Sequence, residues 1–419
     1  MSVVAFTKDW DDVPTCTTHV LRQMARELPV LWIESIGTRK PSLAAGKDVK
    51  RAFRKVKRAL AGAVWKENNL WVLSPLVIPR TDSSFGRWLN RPLMIRQIGR
   101  ALRGMGAGPS AALATGPVEF WCFVPNAVDL LPERGTRSAE RGIWKDKQQP
   151  RIVYYCVDDW SKFHNLDGAW LARKEEEILR LADVVFTPAR ALAEKCRRIV
   201  GERVHYMPHG VDYAAFSRAL DAATPAPGDV ACIPKPVVGF YGNIHPWIDF
   251  ALIEDLARAR PSWSFVLIGE IFCDVSRFAA LRNVHFLGRR EHRTLPGYCG
   301  AFDASMIPYD MTQTRMESVN PVKTRELLAA GVPIVAADVP ELRGMGGDVL
   351  IARTSGEWLL ALERQMARKD RAEISRRMAG EDWSVKVAMM RRVVDGKEPV
   401  PVPSSGLGVG GSCHNSMYE

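Results

Sequence analysis

The chain has 419 residues, 47% of them hydrophobic and 25% charged, with a formal net charge of +11. These proportions describe a globular protein with room for two domains, and no apolar run approaches the roughly 18 residues that a membrane span needs. The eight cysteines are scattered without a Cys-x-x-Cys pair, which argues against a zinc site or a disulfide framework and for a reducing, cytosolic setting.

The opening residues MSVVAFTKDWDD lack the basic-then-apolar layout of a signal peptide. Val3 to Phe6 reads as a buried strand followed by an acidic loop with Asp9, Asp11 and Asp12. Helix signals begin near Thr15 to Thr18, with Val20, Leu21, Met24 and Leu28 on one face, and Val30 to Ile33 is the next strand. Strand, helix and strand at this spacing make a βαβ unit, whose first loop is where such sheets bind ligands. Asp11, Asp12 and His19 are the candidate residues there.

Between Arg39 and Arg103 there are 16 lysines and arginines against Asp48, Glu67 and Asp82. Within this stretch Lys47 to Val64 has Val49, Phe53, Val56 and Leu60 at helical spacing and basic residues around them. It reads either as a membrane-surface helix or as a helix packing its apolar stripe on the sheet. Arg87 to Arg103, with Trp88, Leu89, Leu93 and Ile95, extends the same surface. Segment 47–103 is thus the candidate contact with an anionic membrane, and a peripheral position on its inner face is expected.

Leu70 to Ile78 is read as a strand, Ala111 to Thr115 and Trp121 to Val124 as short ambiguous runs, and Glu133 to Pro150 as an exposed insertion. Arg151 to Val157 is a strand ending at Asp158 and Asp159, followed by a helix over Leu171 to Leu181, a strand at Ala182 to Thr187, and a helix over Arg190 to Val200. The Ala- and Pro-rich Asp221 to Pro236 looks like a linker. Val237 to Gly242 opens a second βα alternation ending in Gly242-Asn243, continued by strands at Phe265 to Gly269, Asn283 to Gly288 and Asp303 to Ile307. Terminal helices are expected at Trp358 to Met366 and Val385 to Val394, and a disordered tail from about Pro399.

The stretch PVKTRELLAAGVPIVAA, Pro321 to Ala337, carries the most chemistry. Pro321 suits a helix start, Gly331 a helix stop, and Val332 to Ala337 a buried strand. The helix start and Lys323 favour a phosphate. Glu326, an acceptor-only group one turn on, can take both hydroxyls of a ribose. The alternative for Lys323 and Glu326 is a surface ion pair.

This stretch resembles the nucleotide-sugar-binding signature of GT-B-fold glycosyltransferases, especially family 4 (glycosyl transferases group 1). That pattern is a glutamate, seven residues, a second glutamate, then a small-residue turn and Gly-x-Pro. Glu326 stands at the second glutamate and Gly331 and Pro333 at the turn, whereas Ser318 stands at the first, with Glu317 one residue out of register. The Asp-ending strand and His209-Gly210-Val211-Asp212 resemble the second half of a GT-B amino-terminal domain.

The resemblance implies two Rossmann-like, doubly wound parallel-sheet α/β domains facing a cleft. They are an acceptor domain at 1–220, a linker at 221–236 and a nucleotide-sugar domain at 237–395 whose last helix returns to the first domain, with a tail at 396–419. It implies a UDP- or GDP-linked sugar held by Gly242, Asn243, Lys323, Glu326, Arg289 and Tyr309, and an acceptor near Asp11, Asp12 and His19. If the enzyme inverts, Asp159 or Asp158 is the candidate base. Family 4 enzymes retain configuration and often have His-Asp where this chain has Asp158-Asp159. Many also place an Arg and a Lys after the first strand of the second domain, where this chain has Asn243, His245 and Trp247. No metal, cofactor or nucleic acid is expected. The function implied is sugar transfer to a lipid-linked or growing glycan in surface polysaccharide synthesis. The alternatives are a GT-B epimerase or hydrolase of nucleotide sugars, and a catalytically silent scaffold subunit.

Overall fold

Short buried apolar runs, each followed by a helix, build two separate sheets in the computed structural model, which describes residues 1–36, 58, 61–77, 84–105, 117–132, 150–162 and 167–397. The chain divides into two compact units, one of Met1–Pro208 with Met390–Lys397, the other containing His209–Met389.

The first unit has strands β1 (Ser2–Phe6), β2 (Val30–Ile33), β3 (Ala63–Glu67), β4 (Leu70–Leu73), β5 (Val118–Cys122), β6 (Arg151–Tyr155), β7 (Val184–Thr187) and β8 (Val204–Tyr206). Their order is β3-β4-β2-β1-β5-β6-β7-β8, parallel except for the β3–β4 pair. Helices α1 (Cys16–Met24), α2 (Ser84–Met105), α3 (Gly168–Leu181) and α4 (Arg190–Val200) connect them. β1, β2 and β5 are buried along their whole length, as expected of a parallel sheet covered on both faces. Arg391 pairs with Glu119 on β5, tying the Met390–Lys397 segment into this unit.

The second unit has β9 (Val237–Tyr241), β10 (Ser264–Ile268), β11 (Val284–Gly288), β12 (Ala304–Ile307), β13 (Ile334–Ala336) and β14 (Val349–Ile351), in the order β11-β10-β9-β12-β13-β14 and all parallel. Helix α5 (Phe250–Ala259) starts where the Asp249 carboxylate accepts from Leu252 N at 2.9 Å, an N-cap. Helix α6 (Val322–Ala329) ends at Gly331, φ +71°, with Val332 N donating to Leu327 O and Gly331 N to Leu328 O. That pair of bonds is a Schellman motif, which needs a left-handed residue at the glycine.

Several sequence-level expectations shift. Ala63 and Val64 belong to the edge strand β3 and not to a basic helix, and the rest of Lys47 to Val64 lies, apart from Arg58 and residues 61–62, outside the described residues. The strand expected over Leu70 to Ile78 stops at Leu73. Trp121 and Cys122 are the end of β5. Pro321 caps α6 from outside and does not form its first turn. Asp221 to Pro236, read as a linker, lies in the second unit and adds Val230 and Ile233 to its core. Residues 111–115, 133–149 and the tail from Pro399 fall outside the described residues. No described helix is long and apolar enough to cross a membrane.

Candidate functional site

The order of the second sheet reverses between β9 and β12, and the carboxyl ends of strands at such a switch point are where doubly wound sheets bind ligands. Five of the residues singled out in the sequence meet there. Gly242 leaves β9 at φ +135°, and a Cβ built on it would overlap Lys323 Nζ. Only glycine therefore lets the lysine lie across the strand end. Lys323 Nζ sits 4.2 Å from the centroid of Phe240 and 5.6 Å from that of Tyr309, held by aromatic faces rather than by an acid. No side chain caps the first turn of α6, so its amide dipole remains available for an anion. Asn243 follows Gly242 and is exposed.

Lys323 and Glu326 do not form the surface ion pair that their spacing allows. Glu326 is buried, with Oε2 accepting from Tyr241 OH at 2.8 Å and Oε1 2.7 Å from His292 Nε2. Burial pushes the Tyr241 phenol well above its ordinary pKa, and the neighbouring Glu326 carboxylate adds to this. Tyr241 therefore stays a protonated donor, and it fixes the orientation of the carboxylate.

After β9, where the resemblance noted above leads one to expect an Arg and a Lys, this chain builds an aromatic stack. His245 lies between Trp247 (centroids 3.9 Å apart) and Phe272 (4.4 Å, planes 4° apart). The Arg315 guanidinium covers Trp247 at 4.9 Å. Burial and then Arg315 lower the His245 pKa, so its imidazole is neutral at pH 7. Ser318 is buried and donates to Arg315 O at 3.1 Å. Arg289 is 60% exposed and 3.9 Å from Glu270.

The carboxyl ends of the first sheet are built from charges. Asp159 follows β6 and is buried, with Oδ1 accepting from Ser161 Oγ at 2.7 Å and from Lys195 Nζ on α4 at 2.8 Å. Lys195 also donates to Glu175 Oε2 at 2.7 Å, and Glu175 Oε1 accepts from Tyr154 OH at 2.9 Å. Burial alone would raise the Asp159 pKa, but the hydrogen bonds from Lys195 and Ser161 outweigh it and the net shift is downward. Its carboxylate is committed to this network and binds a proton weakly, a poor match for a general base. The adjacent Asp158 is half-buried, and its Oδ1 accepts from Asp159 N at 2.9 Å.

At the ends of β1, β2 and β4, Asp11 pairs with Arg58 at 2.6 Å. Arg58 also approaches Glu34 at 3.5 Å, and Glu34 accepts from Trp10 N at 3.1 Å and from Ser74 Oγ. Trp10, Asp11, Glu34, Arg58 and Ser74 line one small pocket. Asp12 is exposed and opposes the burial that pulls Lys8 down to about 8. His19 lies half-buried on α1.

Residues 235–367 match the family described as Glycosyl transferases group 1. That stretch lies wholly within the second unit, which is thus similar to group 1 glycosyltransferases over residues 235–367. Over 210 residues the chain is 29% identical to the putative teichuronic acid biosynthesis glycosyltransferase TuaH of Bacillus subtilis, an alignment covering 46% of this chain and 52% of that relative. The chain therefore matches only about half the length of that relative. Among solved structures, Anabaena Alr3699/HepE in complex with UDP and glucose superposes with a TM-score of 0.61 at 14% identity, over 94% of this chain and 99% of that one. Sucrose-phosphate synthase from Thermosynechococcus elongatus gives 0.60 at 13% identity, over 94% and 98%. At such identities the likeness is one of fold, and the fold is GT-B.

Within the second unit the residues missed by sequence reasoning are Tyr241 and His292. Tyr241 sits next to Gly242, yet its contact with Glu326 spans 85 positions. His292 opens a single 3-10 turn, His292–Thr294, with no motif around it. Only the chain's return to the switch point brings them together.

Proposed function

We propose that the protein transfers a sugar from a nucleotide-sugar donor, UDP- or GDP-linked, to a lipid-linked or growing glycan acceptor in surface polysaccharide synthesis, without a bound metal. The observation that carries this reading is the Glu326 carboxylate at the β9–β12 switch point, oriented by Tyr241 and His292 beside Lys323. In this reading Glu326 accepts the ribose hydroxyls and Lys323, with the first turn of α6, takes the diphosphate. UDP in the HepE complex favours the uridine nucleotide over GDP. The teichuronic acid role in the name of TuaH supports a cell-surface glycan.

The acceptor end lies on the first unit. Asp158 is the better candidate of the two neighbouring acids to meet an acceptor hydroxyl, since Asp159 is tied to Lys195. Asp11, Asp12 and His19 supply hydroxyl-binding groups nearby in sequence to β1. The protein works peripherally at the inner face of the membrane.

Calorimetric titration with UDP, GDP and their sugar conjugates tests the reading, run in parallel on Glu326→Ala and Lys323→Ala. Micromolar binding of one nucleotide, lost in both variants, is the expected result. Absence of binding by the unaltered protein would overturn it in favour of a catalytically silent scaffold. Ser318 gives that second reading its footing, because its hydroxyl turns to the Arg315 carbonyl where the related pattern has a carboxylate.

A further inference from the structure

Helix α2 has two faces of different chemistry. Its inner face is anchored: Met94, Ile98, Ala101, Leu102 and Met105 enter the core of the first unit, and Arg91 Nε donates to Asp129 O at 3.1 Å. Arg87 approaches the Asp129 carboxylate at 3.6 Å. The outer face is a single stripe. Phe85, Trp88, Pro92, Arg96, Arg100 and Arg103 are all exposed and succeed one another at intervals of three or four residues.

Along that stripe the residues are sorted. The first half is apolar, with Phe85 68% and Trp88 70% exposed and their rings stacked 5.9 Å apart. The second half is three arginines, and the 22 residues of the helix include no acid. Leu76, also exposed, is held beside the middle of the helix by Gln97, whose side chain bonds both its N–H and its carbonyl at 2.9 and 3.0 Å. A core helix has no use for two large aromatic side chains pointing into water, and exposed apolar patches bordered by charge mark contact surfaces.

We infer that the outer stripe of α2 is the membrane-docking element of this protein, with Phe85 and Trp88 entering the headgroup boundary of an anionic bilayer and Arg96, Arg100 and Arg103 on its phosphates. The inference rests on the membrane-side reading above and deepens it by moving the contact from the whole of segment 47–103 to one stripe. The chemistry is complementary on both counts. Amphipathic aromatic rings settle at the membrane–water interface, and guanidinium groups bind phosphate oxygens bidentately. Single-stranded nucleic acid also takes arginines and aromatic faces, but along its backbone the two kinds alternate. Here they occupy opposite ends of the helix, which suits a surface that the aromatic end enters and the basic end rides. Because the inner face is fixed in the core, docking needs no helix to detach.

The test is co-sedimentation of the full chain with phosphatidylcholine vesicles, with and without phosphatidylglycerol. It compares the unaltered protein, the double variant Phe85→Ala with Trp88→Ala, and the triple variant Arg96→Glu with Arg100→Glu and Arg103→Glu. The unaltered protein should bind the anionic vesicles and hardly the neutral ones. The triple variant should bind at least about tenfold more weakly, since each basic residue near an anionic leaflet contributes substantially. The double variant should retain only binding that high salt abolishes. UDP titration of the same proteins should be the same for all three, showing that each is folded. Equal vesicle binding by the three proteins, or none by the unaltered one, would overturn the docking inference while intact UDP binding left the transferase reading standing. Tighter binding of a single-stranded oligonucleotide than of vesicles, lost in the same variants, would overturn it in favour of nucleic acid. Vesicle binding as described with no UDP binding would instead keep the docking stripe and remove the donor reading.

Discussion

The carboxyl ends of the two sheets solve the same placement problem with opposite chemistry. In the second unit the buried carboxylate of Glu326 is held by a phenol and an imidazole, and the nearby cation Lys323 rests on aromatic rings. In the first unit, acids and bases neutralise one another: Asp159 and Glu175 share Lys195, and Asp11 and Glu34 share Arg58. A phenol and an aromatic face orient a carboxylate and an ammonium without carrying an opposite formal charge, whereas ion-paired groups cancel one another's charge. The contrast fits the donor role proposed for the second sheet, while at the first sheet the paired charges build structure.

Replacing Glu326 and Lys195 in turn should separate these roles most widely. Glu326→Ala is expected to weaken nucleotide binding by about 100-fold, from two lost charge-assisted hydrogen bonds, with a smaller loss of stability, about 1 kcal/mol, from the buried Tyr241 hydroxyl left without its acceptor. Calorimetry and thermal unfolding on the same sample check both halves. If Glu326→Ala were instead mainly destabilising, the contrast between the two sheet ends would collapse.

Lys195→Ala should do the reverse. It strands Asp159 and Glu175, both buried, without their cation, and breaking such a network costs about 2–3 kcal/mol after allowing for the partial exposure of the lysine. Urea unfolding should show this loss, and UDP affinity should stay as it was.

A smaller effect sharpens the role of Tyr241. Tyr241→Phe removes one hydrogen bond to Glu326, worth about 1 kcal/mol, so UDP should bind roughly fivefold more weakly. With a 2′,3′-dideoxy nucleotide the penalty should vanish, because the carboxylate that Tyr241 orients has no ribose hydroxyls to meet. A penalty of equal size for both ligands would make Tyr241 a packing residue only.

The smallest expected effect is on pH dependence. Asp159 and Glu381 both have folded pKa values below their ordinary ones. Burial opposes this in each, and it is overcome by Lys195 and Ser161 for Asp159, and by Arg325 and Lys386 for Glu381. The unfolded chain therefore takes up these protons first as pH falls. Their contribution is complete above the ordinary carboxylate range and is lost as pH drops through the folded values. Melting temperature should accordingly fall on acidification below about pH 4, and less steeply in a Lys195→Ala variant, where Asp159 no longer has a depressed pKa to lose.

The alternation of strands and helices is legible in the chain without a fold, because period and punctuation are local. Val237 to Gly242, the stop at Gly331 and the Lys323–Glu326 spacing could all be read without a fold, since each depends on neighbours within one turn or one strand. The edge strand β3 was not legible, because its exposed Val64 and Trp65 lack the buried pattern of a central strand. How charged side chains are employed depends instead on contacts between distant segments. Lys195 looked like any helix lysine until α4 packed against Asp159 and Glu175. Tyr241 looked like a core residue until α6 brought Glu326 to it. The sorting of α2 into an anchored face and an aromatic-to-basic outer stripe was equally hidden, since Trp88 and Met94 are alike to a hydrophobicity pattern and only burial tells them apart. Local propensity chooses the elements, but the partner of a charge or the exposure of a ring is a long-range property that exists only once the chain has closed on itself.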